Sequence, residues 1–452
     1  MATRPRIATL TNSSVDILNA IRNNASVNYQ EYVPVATADA DVIRTIGAVL
    51  VDSPQLQNEF ITALINRIGK VIVTSKLYDN PWAVFKKGIL DYGETIEEIF
   101  VDIAEPFNYD PETAETNVFK RQIPNVRSAF HVVNYEKFYK DTIQRRALEK
   151  AFLSIISVGD FISKIIDSMY TGANYDEYQT MKYMLAKRIY DGLLYPEQIS
   201  AVTDANMKGI ASTVKAVSNN LEFLSAKYNI MGVRNKADKR EQYLIVNTAF
   251  DAKMDVEVLA SAFNMDKAEF LGHRILVDGF GNLDVDRLSV LFDGDDTFKE
   301  FEDEELDALN AVPAVLVDAD FFQVYDKLNE FGELYNPEGL YWNYWYHTWR
   351  IFSVSPFSNA IMFIPATPSI TSVTVTPSAV TLGAGQSTSL TVEVETQNFA
   401  PQGVYWTSNN AKVKVNPAGV VTAQSDATGT ATITATSIFD PTKDDTCTVT
   451  IG

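Results

Sequence analysis

The chain changes character at about residue 365, and no single core accommodates such a change. Of the first 365 residues 87 are charged; of the last 87 only 9 are charged and 19 are Thr. Before the break, apolar residues recur mostly at helical spacing. After it they alternate with polar ones, as in SVTVTPSAVTLGAGQSTSLTVEVE and VYWTSNNAKVKVNPAGVVTAQSDATGTATITATS. A repeat near 3.6 makes one face of a helix, and a repeat of 2 makes one face of a strand. The pattern therefore predicts a large α+β body and a separate small all-β sandwich, joined by a tether at Pro365 to Pro368.

Charge narrows the functions open to the body. The 452 residues carry a formal net charge of -20, of which -17 falls in the body and -3 in the tail. A surface this acidic repels nucleic acid and anionic membranes at long range, which argues against a DNA-reading role. The single cysteine, Cys447, excludes an intramolecular disulfide. Its place in the alternating run TCTVTIG predicts a buried structural thiol. No signal-peptide core and no run near about 18 apolar residues is visible, so the expectation is a cytoplasmic product with no membrane partner.

Along the body, residues 1 to about 30 read as an extended arm in which Arg4, Arg6 and Arg22 face one acid, Asp16. Such a stretch is either a frayed end or an arm laid on a neighbouring subunit. Pro54 to Val73 suggests a short helix with Phe60, Leu64 and Ile68 on one face, then a strand. Pro81 to Pro124 is long, polar and weakly periodic, with Glu94, Glu97, Glu98, Asp102 and Glu105 close together. A loop of that length inside a compact domain usually has a job, and a β-rich excursion towards a neighbour would suit it. Helices follow: one capped by Asp160 and stopped near Gly172, one through Tyr178, Met181, Leu185 and Ile189 that ends at Gly192, and a regular stripe of Ile210, Val214, Val217, Leu221, Leu224 and Tyr228. Strands are expected at Tyr243 to Val246, Ile275 to Val277 and Val315 to Val317, with a short helix at Val256 to Phe263. The run from Tyr341 to Trp349 holds three Trp and three Tyr. It predicts a central strand covered on both faces, though a sugar-stacking platform is an open alternative.

The search for chemistry is nearly empty. His131, His273 and His347 are scattered, and HExxH, CxxC, a phosphate loop and GxSxG are all missing from the sequence. A calcium-loop candidate starting at Asp293 has Asp295 and Glu304 but carries Phe298 where the turn needs glycine. The carboxylates show no spacing that singles out an acid/base pair. Catalytic residues, cofactor-binding residues and metal ligands are therefore expected to be none.

Several long strings in the body resemble one family. NAIRNNASVNYQEYVPVAT, QNEFITALINRIGKVIV, NPWAVFKKGILDYGETIEEIF, NVFKRQIPNVRSAFH, AFNMDKAEFLG and GLYWNYWYHTW look like the major capsid protein of phi-29-like podoviruses. The tail is similar to bacterial immunoglobulin-like group 2 domains, through Trp406 to Ser408, Gly419 to Ala423 and Gly429 to Ala435. The resemblance implies the Hong Kong 97 capsid fold. Residues 1–50 would be an N-terminal arm and 51–192 a peripheral domain, with an extended loop at about 75–130 and a spine helix at about 176–192. An axial domain would span 193–336, return strands of the peripheral domain 337–364, and the Ig-like sandwich 365–452.

It further implies a structural protein, not an enzyme, that self-assembles as pentamers and hexamers into an icosahedral-type head shell of a tailed bacteriophage. Its partners would be a scaffolding protein, a portal or connector, and packaged double-stranded DNA held non-specifically, with head fibres or the host surface as candidates for the sandwich. It would reside in the virion after assembly in the host cytoplasm. Two other readings rest on the residues alone: a bacterial surface or adhesion protein binding glycan through its sandwich, and an acidic carbohydrate-active enzyme suggested by the aromatic run. For the sandwich the expected core is Val373, Val375, Leu390, Val392, Trp406, Val413, Ile433, Ala435 and Val449.

Overall fold

The computed structural model describes residues 14–60, 78–90, 93, 95–104, 106–109, 121, 123–124, 126–144, 155–255 and 273–452. The chain folds as two units, each drawn from separated stretches. The first combines residues 1–94, 132–178 and 324–352; the second combines 95–131, 179–323 and 353–452.

The first unit is built on a four-stranded sheet in the order Lys86–Ile89, Phe322–Asn336, Tyr341–Val354, Tyr135–Gln144. The aromatic strand is central, as its composition predicts. Its partner register runs antiparallel from Tyr341 opposite Gln144 to Arg350 opposite Tyr135. Its two faces are not equally covered, however. Trp342, Tyr344, Tyr346 and Thr348 are buried, while Tyr341, Asn343, Trp345 and His347 are half-buried and Trp349 is 36% exposed. The buried face packs on the N-terminal segment. Instead of an extended arm, that segment forms helices at Ser14–Asn24, Val27–Tyr32 and Ala40–Asp52. Leu18, Ile21, Tyr29, Ile43, Ile46 and Leu50 join Trp342, Tyr344 and Tyr346 in one core. Arg22 donates to the carbonyls of Val33 and Gln30, so it closes its own helical hairpin. Phe60 is buried in this core; Arg4, Arg6, Leu64, Ile68 and the strand expected near Val73 lie outside the described residues.

One helix, Ile155–Tyr190, replaces the two expected. Gly172 lies inside it and does not stop it, and Asp160 is within the helix, not at its start. A helical glycine is unfavourable by only about 1 kcal/mol relative to alanine. Beyond it, residues from Asp176 to Ala186 are buried on almost every side. That burial outweighs the local penalty. The helix stops at Gly192 as expected, through a Schellman turn. The Gly192 amide donates to Ile189 and the Leu193 amide to Arg188, with Gly192 at φ 64°.

The second unit contains a five-stranded sheet in the order Tyr195–Gln198, Ala360–Ile364, Ala314–Asp318, Gln242–Asn247, Arg274–Val277. The three strands expected here are present. Two boundaries differ. Ala360–Ile364 pairs with Val317 to Ala314 and with Tyr195 to Gln198, so it belongs to this sheet and not with the return strands. Phe322–Asn336 belongs instead beside the aromatic strand. All five residues of Ala360–Ile364 are buried, and a continuous apolar strand needs a sheet covered on both faces. The helix Met207–Asn220 buries Ile210, Val214 and Val217 against this sheet. It ends before the expected stripe does: Leu221 and Tyr228 are buried outside the helix, and Leu224 is 59% exposed. The helix expected at 256–263 lies outside the described residues.

The tail is a β-sandwich whose core includes Val373, Val375, Leu390, Val413, Ile433, Ala435 and Val449. Cys447 is buried among them, opposite Ile433. Val392 and Trp406, both expected in the core, only border it, partly buried; the Trp406 ring lies 3.2 Å from the position a side chain on Gly419 would take. Trp406→Ala should therefore lower the sandwich's stability by about 2–3 kcal/mol, less than the loss expected for a fully buried tryptophan. Denaturant unfolding of the sandwich followed by its backbone signal checks this.

The junction is fastened, not a loose tether. Gln198 donates to the Thr367 hydroxyl at 2.7 Å, and Asn398 donates to the Thr367 carbonyl at 2.8 Å. Asn398 and Phe399 both adopt left-handed backbone, at φ 54° and 58°, a strained pair for residues with side chains. The turn they form presents Phe399 to the Tyr190 ring, at 6.5 Å between centroids. It also brings the Ala400 carbonyl to 2.5 Å from where a Gly192 side chain would begin. Gly192→Ala is thus opposed twice, by its backbone angle and by Ala400. We expect a loss of about 2 kcal/mol or more together with faster proteolysis at residues 365–368.

Candidate assembly surface

The loop expected at about 75–130 contains a two-stranded sheet of Thr95–Val101 and Val126–Val132. Alternation divides its side chains. On one side Ile96, Glu98, Phe100, Arg127, Ala129 and His131 are half-buried or buried. On the other, Ile99 is 57% exposed, Val126 52% and Phe130 63%, and Val101 and Val132 are exposed with them. Phe107, Tyr109 and Ile123 of the intervening segment are also open to solvent. A water-facing strand surface is normally polar; here Val, Ile and Phe stand exposed beside Thr95, Glu97 and Ser128, an apolar patch of the kind that interaction sites present. Of the acids read from the sequence, Glu97 lies on the exposed side, Glu98 on the covered side and Asp102 is half-buried just past the strand, while Glu94 and Glu105 lie outside the described residues.

The covered side is held by specific contacts. The His131 imidazole meets the Ser353 hydroxyl at 2.7 Å through Nδ1 and the Glu98 carboxylate at 3.2 Å through Nε2. The other oxygen of Glu98 accepts from the Ser355 hydroxyl at 2.7 Å. Phe100 stacks on Phe357 with centroids 5.7 Å apart, and Arg127 donates to the Met231 carbonyl. Ser353, His131 and Glu98 stand in the order of a hydroxyl, an imidazole and a carboxylate. The imidazole is nevertheless 3% exposed and Glu98 is shared with Ser355, so the group joins strands instead of presenting a nucleophile.

In the first unit, the strand that leads into this loop is anchored by buried charges. Lys86 lies 3.0 Å from Glu177 and 2.7 Å from Asp326. Arg350 lies 3.2 Å from Glu177 and 2.9 Å from Asp326. Asn80 donates to the second Glu177 oxygen at 2.7 Å, and Arg350 also reaches the Ala173 carbonyl. Two cations thus neutralise two anions, and Asn80 and the Ala173 carbonyl add further hydrogen bonds to the group.

The other singled-out residues do not converge. His347 packs on Phe138 and His273 on Tyr243. Asp295 caps its own turn, accepting from the Thr297 amide and hydroxyl. Among the described residues no group of three His, Cys, Asp or Glu could hold a metal ion, and no helix is long and apolar enough to cross a membrane. Asp318 was not legible as a special carboxylate. It lies at the end of a buried strand, where burial pushes its carboxyl up to about 7. Two hydrogen bonds from Asn359 pull the other way, while Asp320 and Glu241 add to the rise.

Comparison with known proteins agrees with this architecture. Residues 18–364 match the model of the Phi29-like phage major capsid protein family, and residues 369–449 match the bacterial Ig-like domain (group 2). The major capsid protein of Bacillus phage B103 is 37% identical over 434 residues, covering 94% of this chain and 90% of that one. That of Bacillus phage GA-1 is 34% identical, covering 93% and 86%. The capsid structure of Staphylococcus phage Andhra is similar at 15% identity with a TM-score of 0.52, covering 65% of this chain and 86% of that one, a likeness of fold alone. The chain belongs to the phi29-like phage major capsid protein family, with a body of the Hong Kong 97 type followed by an Ig-like sandwich.

Proposed function

We propose that the chain is the repeating subunit of a closed phage head, that it associates with its copies through the exposed apolar face of the 95–132 hairpin, and that its role is structural instead of catalytic. The observation that carries this reading is that face: Ile99, Val126 and Phe130 are more than half exposed on a strand pair whose opposite side is firmly held. A shell needs many contacts that are individually weak and jointly strong, and protruding hairpins supply them without any one tight pair. Closed symmetry then leaves no open edge for further growth.

Pentamers and hexamers in an icosahedral-type lattice are the arrangement this family would form. A scaffolding protein would act during assembly in the host cytoplasm and a portal would occupy one vertex. The net charge of -20 suits a container for double-stranded DNA that touches its cargo non-specifically and releases it. In the virion, the sandwich would decorate or reinforce the shell, with a head fibre or the host surface as candidate partners. The glycan-adhesin reading draws no support from the relatives found.

Co-expression with the phage's scaffolding protein should give shells by electron microscopy, and Phe130→Asp should abolish them while leaving the subunit's circular dichroism unchanged. Persistently monomeric wild-type protein would sink the shell reading. Normal shells from Phe130→Asp would remove only the hairpin's role.

A further inference from the structure

We infer that His131 is a positioning residue for the hairpin: with Glu98, Ser353 and Ser355 it forms a latch that fixes the direction in which the exposed apolar face points. The division of the chain gives the first reason. Residues 95–131 group with the second unit, although the residues on either side of them in sequence, up to Glu94 and from Val132, group with the first. Something other than chain connectivity must hold the hairpin there. Among the described residues, the polar contacts that hold it are the group centred on His131 and the Arg127 hydrogen bond to the Met231 carbonyl. An imidazole offers two nitrogens for hydrogen bonding, and here both are used: Nε2 pairs with the Glu98 carboxylate and Nδ1 with the Ser353 hydroxyl.

Glu98 lies on the first strand of the hairpin and His131 on the second, while Ser353 and Ser355 lie on the segment beneath. One ring therefore ties both strands of the hairpin to that segment. The Phe100–Phe357 stack and the Arg127 bond to Met231 each hold one strand only, Thr95–Val101 and Val126–Val132 respectively. The hydrogen bonds of His131, being directional, fix both strands together. A pre-set direction matters because each copy must meet its neighbour's surface without first ordering its own, and ordering a loop at the moment of association weakens it.

The inference rests on the reading of the hairpin as an assembly contact, and the test separates the two. Hydrogen exchange at residues 95–101 and 126–132 is measured on the unassembled full chain, and shell yield is measured by co-expression with the scaffolding protein. His131→Ala should speed exchange in both strands by about tenfold or more, the loss expected from a charge-assisted hydrogen bond and its neighbours, with the melting temperature of the rest of the chain little changed and shell yield reduced. His131→Gln, whose amide can accept from Ser353 and donate to Glu98, should restore both.

Unchanged exchange in His131→Ala, or failure of His131→Gln to restore it, overturns the latch. Faster exchange with undiminished shells leaves the latch standing and removes the hairpin's role in assembly. If His131→Ala does not fold, the double change Ser353→Ala and Ser355→Ala loosens the same latch from the other side and is read in the same way.

Discussion

Arg350→Ala should destabilise the first unit by about 3–5 kcal/mol, the range seen when one member of a buried charge group is removed. Arg350 is 3% exposed and touches both Glu177 and Asp326. Without it, two buried carboxylates would share the single ammonium of Lys86. Desolvation of the unpaired charge, not the loss of one attraction, supplies most of the effect. Thermal unfolding of Arg350→Ala beside Arg350→Met, which keeps most of the packing and removes the charge, reads the effect. Wild-type stability in Arg350→Met would mean that Arg350 acts through packing alone.

Asp318→Asn should do the reverse and stabilise the second unit above neutral pH, by up to about 2–4 kcal/mol. The Asp318 carboxyl titrates near 7 in the folded chain against 3.8 for the free group. Between those values the folded chain holds a proton that the unfolded chain has released, so the native state is favoured at the low end of the window. That advantage fades as pH rises from about 4 to 7, and above 7 the folded state carries a buried charge. Asparagine can keep an acceptor towards the Asn359 amide and removes the charge. The variant should therefore lose this decline while matching the wild type near pH 4. A parallel pH profile in the two proteins would show that another group is responsible.

These two residues also mark where sequence reading stops. Alternation exposes the sandwich, because period 2 is written in consecutive residues, whereas the aromatic strand is legible from its composition and the loop strands only from the length of a weakly periodic stretch. The stop at Gly192 was legible too, since a Schellman turn is local. Lys86, Glu177, Asp326 and Arg350 come from four distant parts of the chain, and no window contains the pattern they make. Asp318 reads as the polar end of an ordinary strand until Asn359 and the covering sheet are in place.

Gly172 is a true local signal for a helix stop, and burial of the residues that follow it overrides that signal. The helices from Ser14 onward are hidden for a related reason: they depend on the Trp342, Tyr344 and Tyr346 face for their core. Strand Ala360–Ile364 was assigned to the wrong neighbours because an apolar strand does not say which sheet it completes. For the assembly surface, the sequence showed an unusual loop and its acids. Which side faces outward and which carries His131 inward depends on the packing against Ser353, Ser355 and Phe357, residues more than 200 positions away.

The buried thiol has a practical side. Cys447 is the chain's one cysteine and is 0% exposed, and burial also pushes its ionisation up. Thiol reagents act on the exposed thiolate, so the native subunit is close to inert towards maleimides. A cysteine introduced at an exposed sandwich position such as Ser387 would then be the single reactive handle on each copy, and fluorophores or cargo could be attached to whole particles in defined number without first removing the natural residue.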